Sequence, residues 1–123
     1  MAKTKWPKIP HYLIPLFQCA CIYLCRSKKE WTQAEKSIGV DAVSVEFSSG
    51  MCRHIIDDAT GENFYMIGVF DGSVSTLVHE CAHATFYCCN DVGVTVDTGS
   101  ANETYCYLLE RMFSHFLPHF KRD

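Results

Sequence analysis

Two histidines and a glutamate stand in the order His79-Glu80-Cys81-Ala82-His83, an H-E-x-x-H pattern inside an apolar run that reads as helix. A spacing of four places both imidazoles one turn apart on the same helical face, where they can reach a single metal ion. Glu80 lies beside the first of them, in position to take a proton from a water held by that metal. A zinc centre that performs chemistry keeps three protein ligands and one open position. The third ligand is therefore expected on a following element, as His, Asp or Glu. Glu103, early in the last helix and twenty positions beyond His83, stands out. Asp91 and Asp97 are alternatives, although both fall in a turn region that such residues stabilise by themselves.

These side chains need elements to position them. The helix bearing the motif is expected over about 76–89, with Ser73 or Ser75 as its N-cap. Val78, Cys81, Ala82, Thr85, Cys88 and Cys89 give it an apolar body, which implies a buried helix whose histidines face a cleft within the fold. A final helix starts near Ala101, continues through Tyr105, Leu108, Met112 and Phe116, and stops at Pro118. Earlier, Ser27-Lys28-Lys29-Glu30 forms a capping box, Trp31, Ala34, Glu35 and Ile38 follow at helical spacing, and Gly39 supplies the stop. That predicts a helix from Lys28 to Ile38 covering the sheet, with Trp31 as a core anchor. Residues 1–10 read as an irregular arm. The apolar run over 16–25 reads as a strand covered on both faces. Alternation predicts three shorter strands over 43–47, 51–57 and 63–70, the last two joined as a hairpin through Gly61. The expected architecture is a single α+β domain over 1–123. A small mixed or antiparallel sheet carries a covering helix, and two packed helices hold the metal.

H-E-x-x-H followed at this distance by Asn102-Glu103 on a second helix resembles the thermolysin-like gluzincin metallopeptidases, over about residues 79–107. The resemblance implies zinc bound by His79, His83 and Glu103. Glu80 would be the general base that activates water for peptide hydrolysis and passes the proton to the leaving amine. It also implies that the strand preceding the motif helix, 63–70, offers its exposed edge to an extended peptide. This chain departs from the family in two respects. Tyr107 stands where those enzymes carry an aspartate that orients a zinc-binding histidine, and no counterpart of their large second subdomain is seen. Tyr107 is the first candidate for stabilising the oxyanion, with His54, Tyr87 and Tyr105 behind it. The chain is also similar to small H-E-x-x-H proteins of phages and bacterial mobile elements. A rival of another class is a zinc-stabilised binding protein on a peptidase fold that neutralises a host factor. Glu80 discriminates, because a purely structural site does not need it. Glu103 has a local rival too, as the glutamate of the capping box Ser100-Ala101-Asn102-Glu103.

Composition narrows the classes. Hydrophobic residues at 48% and charged residues at 20% are globular values, and a net charge of −3 gives no reason to expect nucleic-acid binding. Trp6-Pro7-Lys8 and Pro10-His11 interrupt any export signal, and no apolar segment reaches the ~20 residues that span a bilayer. A soluble, cytoplasmic protein with a peptide or protein substrate and no membrane partner is the expectation. Eight cysteines occur without a C-x-x-C pair, and they read as free thiols packed as small hydrophobes. Cys19 and Cys21 would point to the same side of their strand. His115 and His119 read as surface residues near the end of the last helix.

Overall fold

The apolar run after Pro10 folds as a hairpin and not as the single strand expected over 16–25. The structure, a computed structural model, describes residues 6–57, 60–99 and 102–120. Strand β1 (His11–Leu13) pairs antiparallel with β2 (Ala20–Cys25), and Ile14 N–H donates to the Ala20 carbonyl at 2.9 Å across the turn. At the tip, Phe17 and Gln18 take positive φ angles of 55° and 49°. L-residues rarely adopt this left-handed conformation outside Gly, Asn and Asp. The strand therefore begins later than its composition suggests.

Helix α1 (Lys28–Ile38) forms as expected. Ser27 Oγ accepts from Glu30 N–H at 3.1 Å, and Gly39 closes the helix at φ 76°, a cap that a residue lacking Cβ adopts at least strain. Glu30 reaches past the cap and accepts from Arg26 N–H at 2.7 Å, so the return half of the capping box is displaced by one residue. Trp31 is fully buried on the α1 side of the sheet.

No strand forms over 43–47. The polarity alternates there, but side chains of neighbouring elements claim the backbone. Val43 N–H donates to the Glu35 carboxylate at 3.1 Å, and Arg53 donates both to Glu35 and to the Asp41 carbonyl at 2.7 Å. Val45 is buried, while Phe47 stands 94% exposed.

Strands β3 (Gly50–Ile56) and β4 (Asn63–Val69) make the expected antiparallel hairpin, with Gly61 at φ 75° in its turn. The sheet order is β1-β2-β4-β3, with β2 parallel to β4 and the other neighbours antiparallel. The path from β2 through α1 and back along β3 leaves β4 against β2 and β3 outside it. The strand over 63–70 is therefore internal, which corrects the expectation that it offers a free edge; β3 is the edge.

Alternate residues divide the sheet between two cores. Ile22, Leu24, Tyr65, Ile67 and Val69 pack against α2 (Val74–Asp91) and α3 (Asn102–Phe116). Phe64, Met66, Ile55 and Cys25 meet α1 on the opposite face. Past α3 the chain makes one short 3-10 turn, Leu117–His119, with Pro118 inside it. The segment over 94–99 is a loop, and the expected helix start at Ala101 lies outside the described residues. The described part of the N-terminal arm is anchored: Trp6 stacks on Tyr23 at 3.8 Å, and Leu24 N–H donates to the Pro10 carbonyl at 2.8 Å. Among the described residues the architecture is α+β, a four-stranded mixed sheet with three α-helices.

Candidate metal centre

Asp71 sets the start of α2. Its carboxylate accepts from Ser73 N–H at 3.0 Å and from the Thr76 hydroxyl at 2.8 Å. An anion ahead of a helix N-terminus is favoured by the exposed amides there, and these two bonds hold Asp71 below the usual carboxylate range. Ser73 occupies the N-cap position but makes no side-chain cap bond.

From that start the helix buries Leu77, Glu80, Cys81, Ala84, Thr85, Cys88 and Cys89. His79 and His83 are exposed. The orientation differs from the expected one: the histidines lie on the outer surface of α2, and Glu80 points inward. The cause is the phase of the apolar stripe, because Leu77, Cys81, Ala84 and Cys88 seat on the sheet and turn the row of His79 and His83 outward.

The two imidazoles converge. His79 Nε2 and His83 Nε2 are 3.2 Å apart, with ring planes at 78°. Two nitrogens bound at about 2.05 Å to one tetrahedral zinc ion lie roughly 3.3 Å apart. The separation of the pair is close to that distance. Beside it, Glu80 is only 6% exposed. Burial raises its pKa, and the neighbouring His79 and His83 act in the opposite direction.

Glu80 has room because residue 50 is glycine. A Cβ at Gly50 would come within 2.9 Å of Glu80 Oε2, 2.8 Å of the Gly68 carbonyl oxygen and 2.6 Å of Thr76 Cγ2. Here the start of the edge strand and the first turns of α2 form an open cleft of about 500 Å³, lined by Ser48, Ser49, Gly50, Ser75, Thr76, His79 and Glu80. The cleft thus joins a buried carboxylate, an imidazole and a row of small hydroxyl side chains. Such a set can move protons and hydrogen-bond a polar chain. Sequence reasoning missed Gly50 and the hydroxyl lining, since Ser48-Ser49-Gly50 carries only the signal of a turn.

The other expected site residues lie elsewhere. Asp91 is engaged by the Tyr65 hydroxyl, which donates to it, and by His54, whose Nε2 is 3.3 Å from Asp91 Oδ2 and 3.0 Å from Asn63 Oδ1. Tyr87 packs its ring 5.6 Å from His54. Asp97 accepts from Gly99 N–H at 2.8 Å within its loop. On α3 the Tyr105 hydroxyl donates to the Ala82 carbonyl at 3.4 Å, and Leu108, Met112 and Phe116 are buried, which defines the face turned to α2. At roughly 100° per residue, Glu103 and Tyr107 each fall about 160° around the helix from Tyr105. Both are exposed, Tyr107 by 61%. The structure thus brings His79 and His83 together on the outer side of α2, turns the neighbouring Glu80 inward, and leaves Glu103 and Tyr107 on the far face of α3. Among the described residues, no group of three His, Cys, Asp or Glu side chains is gathered for a metal. His115 and His119 are exposed, and His115 Nε2 lies 2.8 Å from the His11 carbonyl oxygen.

No protein-family model, curated protein or solved structure matches this chain. Among the described residues, no helix is long and apolar enough to cross a membrane.

Proposed function

We propose that the chain is a zinc-dependent peptidase in which His79 and His83 hold the metal and Glu80 is the general base. The observation that carries this is the pair of Nε2 atoms 3.2 Å apart on α2, with the Glu80 carboxylate lining the adjoining cleft. When bound, zinc supplies Lewis acidity toward a carbonyl and lowers the pKa of water to about 7. Burial raises the pKa of Glu80, which makes it a stronger base than a solvated carboxylate. Among the described residues, the edge strand β3 pairs on one side only, with β4. An extended peptide added along its free side would enter the cleft past Ser48 and Ser49. In this scheme β3 takes the role first expected of 63–70. Glu103 as third ligand and Tyr107 as oxyanion donor rest on the resemblance to the gluzincins alone, and each needs α3 to present a different face.

A second reading, a zinc-stabilised binding protein, is favoured by the exposure of the two histidines and by the distance of Glu103 and Tyr107 from them. One experiment separates the two: zinc content and cleavage of a proteome-derived peptide library, for wild type and Glu80→Gln. The peptidase reading expects Glu80→Gln to keep its zinc and lose turnover by roughly a hundredfold or more. Equal turnover in the variant refutes Glu80 as base. A zinc-loaded wild type that cleaves nothing supports the binding protein. Glu103→Ala is expected to weaken zinc binding about tenfold or more; unchanged affinity assigns the third position to another donor.

A further inference from the structure

The outer face of α2 lacks the charges that a solvated helix surface usually carries. Over 74–90 the one residue among Asp, Glu, Lys and Arg is Glu80, and it is buried. Apolar and aromatic side chains stand out instead: Val78 is 38% exposed, Phe86 53% and Tyr87 41%. At roughly 100° per residue, Phe86 falls about 20° around the helix from His79, and Tyr87 about 40° from His83. The two aromatic residues thus continue the row of the exposed histidine pair. A helix facing water turns charged side chains to it. Loss of charge together with exposed aromatic residues marks the centre of a protein–protein interface.

The ligand set is incomplete at the same place. Tetrahedral zinc takes four ligands, and the converging Nε2 atoms of His79 and His83 supply two. Among the described residues, no third His, Cys, Asp or Glu joins them. Because the pair lies outside, a second copy of the chain can reach the same ion. A two-fold axis through the ion repeats the pair and gives four imidazole nitrogens. The same axis lays α2 against its counterpart, one patch meeting itself. At a helix separation of about 8–10 Å, Phe86 and Tyr87 come within reach of the facing helix.

We propose that zinc joins two copies of this chain through His79 and His83 of each, with the uncharged outer face of α2 as the interface. The linkage rests on the reading that these histidines hold zinc, and not on peptidase activity. Four imidazoles leave no position for water, so the joined form is without turnover and cleavage belongs to a chain carrying its own ion. Zinc supply sets the balance by mass action. Half an equivalent favours joined pairs, whereas a large excess gives each chain an ion and separates them.

The test is sedimentation velocity of the full chain, first metal-free, then with zinc chloride at half an equivalent and at large excess. A phosphine reductant keeps the exposed Cys106 from linking molecules. Zinc X-ray absorption is recorded on the half-equivalent sample. The expected result is monomer without zinc, dimer at half an equivalent and monomer again at excess. The absorption spectrum should show four imidazole nitrogens at about 2.0 Å. Phe86→Lys places a charge in the interface and should weaken the dimer about tenfold or more, with the affinity of a single chain for zinc unchanged. The Phe86 ring also packs 4.6 Å from Tyr105. Asn90→Lys, at an exposed position about 20° around the helix from His83, is expected to weaken the dimer without disturbing that contact. Zinc bound by a chain that stays monomeric at every ratio overturns the linkage and leaves the metal reading standing. A dimer equally populated without zinc overturns it as well, as does coordination by two imidazoles in the half-equivalent sample. No zinc bound under any condition overturns both.

Discussion

Replacing Gly50 with alanine puts a methyl group at the junction of the edge strand and α2. It would meet Thr76 Cγ2 at 2.6 Å, the Gly68 carbonyl oxygen at 2.8 Å and Glu80 Oε2 at 2.9 Å, where ordinary contacts lie at about 3.5–4.0 Å. Backbone entropy acts in the opposite sense, since alanine in place of a strand glycine is favourable by about 0.5–1 kcal/mol. Overpacking usually costs about 1–3 kcal/mol, and the Gly68 oxygen belongs to the backbone and cannot rotate away. The clash therefore wins, and a net loss of about 2 kcal/mol is expected. With a urea slope of about 2 kcal/mol per molar, the unfolding midpoint should fall by about 1 M. Thr76→Ser deletes the nearest clashing atom. In that background the penalty of Gly50→Ala should shrink by about 0.5–1 kcal/mol. Urea denaturation of the four proteins of this cycle measures both quantities. A Gly50→Ala midpoint equal to or above wild type would refute the seating of Glu80 against β3.

Two further perturbations follow from the same geometry. Asp71→Ala removes both bonds ahead of α2 and should cost about 0.5–1 kcal/mol, kept small by the exposure of the carboxylate. The folded pKa of Asp71 is depressed below its unfolded value, so its contribution is complete above the unfolded pKa of about 3.9 and is lost as pH falls through the folded one. The stability difference between wild type and Asp71→Ala, followed by urea denaturation against pH, should thus disappear in acid; a constant difference contradicts it. Arg53→Met leaves Glu35, whose side chain is 3% exposed, without its cation, at an expected cost of about 3 kcal/mol. Adding Glu35→Leu should recover most of that loss, and a double variant as unstable as the single one would show that the pair is not the cause.

Local chemistry explains what was legible in the sequence. Helix α1 was readable to the residue, because Ser27 and Gly39 act on backbone groups within a few positions of themselves. The β3–β4 hairpin was readable from alternation and Gly61. The β1–β2 tip was not, because Phe17 and Gln18 adopt left-handed angles that their types do not signal. Over 43–47 alternation was present, but whether a neighbouring strand receives it is a tertiary matter, and Glu35 and Arg53 took the backbone instead. The choice of edge strand likewise depends on β4 pairing in parallel with β2. In the site, spacing alone places His79 beside His83. Which way they face depends on how the row from Leu77 to Cys88 meets the sheet, and the face that α3 offers depends on its packing through Tyr105 and Met112.

The proposed metal centre is tested most directly by competitive zinc titration against a chromophoric chelator, with wild type, His79→Ala and His83→Ala compared at neutral pH. Both histidines are exposed, so the variants should keep the fold. One zinc per chain is predicted for wild type, with affinity lost by roughly a hundredfold or more in each variant. Wild-type affinity in either variant would contradict the assignment of the two histidines as ligands.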